Sequence, residues 1–132
     1  MTVAIDTNIL VRAAVRDNLQ QAKAAADILQ NEEIIAIPVV ALCEFVWVMR
    51  QGFKMPATEI ADSIRSLVES EKVVTNTSVV EAGLEVLSKG GDFADGAIAY
   101  EGRWLGAEEF LSFDKQAVSI LRSQGHKARL LS

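Results

Sequence analysis

Four carboxylates in this chain hold positions suited to chemistry: Asp6, Glu44, Asp95 and Asp114. Glu44 stands out most. It sits in V-V-A-L-C-E-F-V-W-V-M, residues 39–49, where every other side chain is apolar. A segment apolar on all sides predicts a buried helix. Burying an ionised carboxylate without a partner is costly. The nearest following base, Arg50, is six positions on, beyond one helical turn. Glu44 therefore has to find its partner elsewhere in the chain, or in a bound cation.

The other acids sit at junctions. Asp6 follows the apolar run T-V-A-I, and Asp114 follows F-L-S-F. Asp92 and Asp95 lie three apart in G-G-D-F-A-D-G-A-I-A-Y, which places them on one helix face. Each has a plainer reading as a helix cap or turn residue, and Asp92 fits an N-cap better than Asp95 does. Asp95 would also gain from the helix dipole. Thr7 and Asn8 are able to cap the first helix, which frees Asp6 for another role. Ser112, two residues before Asp114, adds a hydroxyl.

Gathered together, such carboxylates repel one another and their pKa values rise unless cations neutralise them. Hard oxygen donors favour Mg²⁺ or Mn²⁺. With one His (His126, in a polar turn) and one Cys (Cys43), an ordinary zinc site is not expected. A Ser-His-Asp triad has no support from that single His. No G-x-x-x-x-G-K-[ST] or G-x-G-x-x-G motif is present.

The elements that must position these acids alternate. Short runs at 2–5, 34–37 (β-branched), 72–75, 109–112 and 128–131 read as strands, the third of them weakly. Helices are expected from Asn8, over 18–30, and after Pro38 as far as Gly52. Further helices are expected after Pro56, from Ser78 to about Leu87, over 94–104 and over 114–123. The Lys89-Gly90-Gly91 segment reads as a turn. This alternation predicts an α/β fold, a single domain over 1–132 with a central, mainly parallel sheet of about four to five short strands flanked by helices. In such folds sites gather at the carboxyl ends of the strands.

Composition agrees. Half of the 132 residues are apolar and 23% are charged, a globular balance. The net charge of −5 argues against a non-specific nucleic-acid binder, but not against an enzyme that meets phosphates through cations. No apolar run reaches the roughly 18 residues of a membrane span. The N-terminus lacks a basic n-region, so a signal peptide is not expected and the cytoplasm is the default location.

The order V-A-I-D-T-N-I-L-V-R, then I-P-x-x-x-L-C-E-F-V-W-V-M, then G-G-D-F-A-D-G-A-I-A, then F-L-S-F-D-K-Q-A resembles a PIN domain. More narrowly it resembles the VapC-type toxins of bacterial toxin–antitoxin pairs. The resemblance spans nearly the whole chain. It implies a Mg²⁺- or Mn²⁺-dependent endoribonuclease on a central parallel sheet. Asp6, Glu44, Asp95 and Asp114 would be the catalytic, metal-binding acids, with Asp92 an additional acid ranked below Asp95. Thr7, Asn8 and Ser112 would orient carboxylates or bind phosphate. It also implies an RNA substrate, a cognate antitoxin and a homodimer. Trp47, Met49 and Phe53 offer a surface for such partners, with core packing the simpler account of Trp47. Gly96 departs mildly from the family pattern, which more often has a larger small residue there.

The chemistry expected is metal-assisted, in-line hydrolysis of a phosphodiester. Arg12, Arg16 and Lys115 are candidates to hold flanking phosphates. The alternatives are a phosphotransfer protein using Asp6 and a catalytically inactive PIN binding module. A phosphatase of the haloacid-dehalogenase type wants D-x-D, but Asn8 stands two after Asp6. A receiver wants paired acids at the first strand and a lysine after a late strand; Lys115 follows Asp114 instead.

Overall fold

The computed structural model describes residues 1–132, and the chain divides into two units, Met1–Asn76 and Thr77–Ser132. In the first unit the apolar runs form β1 (Thr2–Ala4), β2 (Ile34–Ala36) and β3 (Val73–Val74). They pair in parallel in the order β1-β2-β3, with Val3 opposite Ile35 and Ala36 opposite Val74. Parallel neighbours need long crossovers. These are α1 (Thr7–Ala14) with α2 (Leu19–Asn31), and α3 (Val39–Gln51) with α4 (Ala57–Glu69). Each helix sends one face into a core that includes Leu10, Ile35, Leu42, Phe45, Met49, Ile60 and Ile64.

Two expectations for this unit fail. Asn8 does not cap α1. Asp6 does, with extended backbone (φ −95°, ψ 178°) and a side chain that accepts from the Ile9 N–H at 3.4 Å. Thr7 and Asn8 are already helical, and a cap must lie outside the helix. Nor is α3 buried on all sides. Val40, Glu44, Trp47 and Gln51, spaced by four, three and four, form an exposed stripe. Val40 is 70% and Trp47 62% exposed. The opposite face, Ala41, Leu42, Phe45, Val46 and Met49, is buried. Apolar composition marks what a helix could bury, but the elements packed against it decide which face is covered. Trp47 therefore lies outside the core and Met49 inside it. Pro38 and Pro56 act as N-caps of α3 and α4, one position ahead of the first turn.

The second unit contains α5 (Thr77–Ser88), α6 (Phe93–Trp104), β4 (Phe110–Ser112), α7 (Lys115–Ser123) and β5 (Ala128–Leu130). β4 and β5 are parallel, with Phe110 opposite Ala128 and α7 as the crossover. Val86, Ala99, Val118, Ile120, Leu121 and Ala128 form a core under Phe110. Ser78, expected as a cap, lies inside α5. Gly90 makes the expected turn at φ 90°. The five strands are short and parallel as expected, but they form one sheet of three and one of two rather than a continuous sheet.

The α5–α6 contact is the tightest in this unit. A Cβ on Gly96 would stand 2.4 Å from the Ala82 carbonyl oxygen, and one on Gly83 would stand 2.6 Å from the Phe93 ring. Gly96 is thus a contact between helix backbones, not merely a residue of low helix propensity.

Candidate active site

The first unit carries Asp6, Glu44 and the groups around them. β1 delivers Asp6 to the start of α1. Glu44 stands at the middle of α3, exposed rather than buried, so the expectation of a deeply buried acid is corrected. It does have a partner. The Thr7 hydroxyl donates to Glu44 Oε1 at 3.2 Å, tying the first residue of α1 to α3. Asn8 is exposed in the first turn of α1. Arg12, expected to hold phosphate, is bound instead to Asp17 at 2.9 Å, while Arg16 is exposed. The signal that was missed is Asp17, five residues on, across the helix end at Ala14.

The second unit carries Asp92, Asp95 and Asp114. Asp92 caps α6, accepting from Ala94 N–H at 3.2 Å, and Asp114 caps α7, accepting from Ala117 N–H at 3.0 Å. Both cap readings drawn from position are therefore correct. Ser112 Oγ accepts from the Asp114 N–H at 2.9 Å, so it fixes the backbone of that acid rather than its carboxylate. Lys115 is the exposed first residue of α7.

Asp95, half-buried in the first turn of α6, differs from the others. Burial first, then the charges of Asp92 and Asp114, push its pKa from 3.8 up to about 6. A carboxylate is normally comfortable in the first turn of a helix. Here desolvation and two like charges outweigh that advantage. Gly96, which the sequence suggested was only a mild departure, lets α6 approach α5 and so sets where Asp95 stands.

No group of three or more His, Cys, Asp or Glu side chains is arranged to hold a metal ion. The donor chemistry suits a hard cation all the same. The candidates are all carboxylates, and besides burial the charges of Asp92 and Asp114 act on Asp95, a repulsion that a divalent cation would relieve.

Residues 3–120 match the PIN domain family. The chain belongs to the PIN domain family. The matched span includes Asp6, Glu44, Asp92, Asp95 and Asp114 and runs through residues of both units. PIN domains are typically nucleases, and those nucleases usually use divalent metals. Comparison with curated proteins gives no match. No helix of this PIN domain is long and apolar enough to cross a membrane.

Proposed function

We propose that this PIN domain is a Mg²⁺- or Mn²⁺-dependent endoribonuclease, with residues 1–132 acting as one domain. Asp6, Glu44, Asp95 and Asp114 are assigned to one reaction, with Asp92 as a further ligand. The grouping follows the order of the motifs along a chain that matches one family over 3–120. The observation that carries the reading is Asp95, half-buried in the first turn of α6 and close enough to Asp92 and Asp114 to feel both charges. Carboxylates perturbed in this way cluster at functional sites.

A divalent ion bound by these carboxylates supplies acidification of water and stabilisation of charge on the cleaved phosphate. The chain's own residues do the rest. The Thr7 hydroxyl donates to the Glu44 carboxylate. Ser112 and the α7 N-cap fix Asp114. The close α5–α6 approach at Gly96 fixes Asp95. Arg16 and Lys115 remain candidates for flanking phosphates. Arg12 serves that role only by leaving Asp17.

The resemblance to VapC-type toxins extends the proposal to a cytoplasmic toxin paired with an antitoxin, acting as a homodimer. The exposed Val40, Trp47 and Phe53 on and after α3 support a covered surface there.

The test is cleavage of RNA by the purified chain with Mg²⁺ or Mn²⁺. Asp6→Asn and Glu44→Gln are each expected to lower the rate by at least about a hundredfold while far-UV dichroism and melting stay native. Full activity in either variant, or undiminished activity in EDTA, refutes the reading.

A further inference from the structure

The unit Met1–Asn76 holds a cavity whose lining includes none of the candidate acids. It measures about 390 Å³ and is bordered by residues of α1, α2, α3, α4, β2 and β3. Leu10, Ile35 and Phe45 reach it from the core, each no more than 2% exposed. Ser63, Ser66 and Ser70 line it from α4 and its C-cap, at spacings of three and four that share one helix face. The rest of the lining is wholly apolar, and no side chain in it is ionisable.

The lack of charge sets this cavity apart. One between α1 and α2 carries Arg12, and one in the second unit carries Arg103, Lys127, Glu108 and Glu109. An ion entering the serine-lined cavity would lose hydration and meet no opposite charge. A neutral occupant loses far less. The volume falls within the roughly 300–1,000 Å³ of small-molecule sites.

The serines define what a polar head could bond. Ser63 Oγ donates to the Glu59 carbonyl at 3.0 Å, so its lone pairs are left to accept. Ser70 Oγ accepts from the Lys72 N–H at 3.4 Å, so its proton is left to donate. A hydroxyl both donates and accepts, and it matches this pair.

We propose that this cavity binds a neutral small molecule with an apolar body and a hydroxyl head. Leu10, Ile35 and Phe45 take the body, and Ser63 and Ser70 take the head. The occupant touches α1, which Asp6 caps, and α3, which carries Glu44. The site stands apart from the nuclease reading and needs neither metal nor RNA.

The test is a titration of the full chain with n-alkanols from butanol to decanol, in EDTA. Binding is read from the methyl resonances of Leu10, Ile35 and Val73. Affinity should rise about fourfold per added methylene and level off once the chain fills the cavity. Ser66→Trp, at an exposed position of the lining, should abolish binding, and Ala13→Leu, from the α1 side, should weaken it. Replacing Ser63, Ser66 and Ser70 together with Ala should weaken n-hexanol about 2- to 10-fold, as for one neutral hydrogen bond. Xenon, which has no polar group and enters apolar cavities, should bind that triple variant undiminished. The proposal is overturned if no methyl shift saturates, or if affinity climbs through decanol without levelling. It is overturned if Ser66→Trp and Ala13→Leu both bind like the unsubstituted chain, or if the triple variant holds n-hexanol as tightly. It is equally overturned if light scattering shows a dimer that Ser66→Trp splits, which would make the cavity an interface between copies.

Discussion

Replacing Asp95 with Asn should stabilise this protein at neutral pH while removing its activity. The magnitude follows from the pKa of about 6 against an ordinary 3.8. Folded Asp95 keeps its proton to about pH 6, whereas the unfolded chain releases it near 3.8. Between those values the folded state binds more protons, so stability falls as pH rises through this window. Above it both states are ionised and the loss is constant. A shift of about two units corresponds to at most about 3 kcal/mol. Asp95 is only half-buried, and solvent screening reduces this to about 1–2 kcal/mol.

Asparagine does not titrate, so the variant should gain that amount above pH 7 and little below pH 4. For a chain of this length the gain is about 4–8 °C in melting temperature. The assay is urea unfolding and thermal melting of both proteins from pH 4 to 8 in EDTA. If Asp95→Asn is no more stable at pH 7.5, or if its advantage does not grow with pH, the account of Asp95 as a strained anion is refuted. Adding Mg²⁺ supplies a second arm. A ligand that binds the folded state stabilises it by about 1.4 kcal/mol at ten times its dissociation constant. The unsubstituted protein should show that gain and Asp95→Asn should show less.

Two further predictions concern the groups that position the acids. Gly96→Ala would press a methyl group into the Ala82 carbonyl, a backbone atom that cannot rotate away. Overpacking costs of about 1–3 kcal/mol set against a helix-propensity gain of about 1 kcal/mol leave a net loss of up to about 2 kcal/mol, to be read in urea unfolding. Equal or higher stability would mean that α5 and α6 part easily. Thr7→Val keeps the shape of the side chain and removes the hydroxyl that donates to Glu44. RNA cleavage should fall about 10- to 100-fold with melting nearly unchanged, as for other groups that orient a metal ligand. Unchanged cleavage would reduce the Thr7–Glu44 bond to a structural detail.

Most of the fold was legible because its signals are local. Pro38 and Pro56 stand directly before helices, Gly52 and the Lys89-Gly90-Gly91 turn end them, and Asp92 and Asp114 take up cap positions that need only a few neighbouring residues to define. What the sequence misstated depends on partners far away in the chain. The composition of α3 says that it is apolar, but not that Val40, Glu44 and Trp47 would be left uncovered together. Glu44 needed a partner, and that partner is a hydroxyl 37 residues earlier rather than a base nearby. Gly96 counted against the helix on propensity alone, because the Ala82 carbonyl that requires it belongs to another helix.

The acids show the same division between local and distant causes. By position, Asp92, Asp95 and Asp114 all read as residues that a helix start stabilises. Two of them are satisfied in that way, each accepting a backbone N–H as an N-cap. Asp95 is the third residue of its helix, and its surroundings reverse the sign of the effect: burial and the two satisfied acids raise its pKa. The caps thus do two things at once. They anchor α6 and α7, and they place fixed negative charge where Asp95 must bear it. A cation that relieves Asp95 would act against charges the fold holds in place through backbone hydrogen bonds. Its binding should therefore cost little rearrangement at Asp92 and Asp114, and its effect on stability should depend mainly on Asp95.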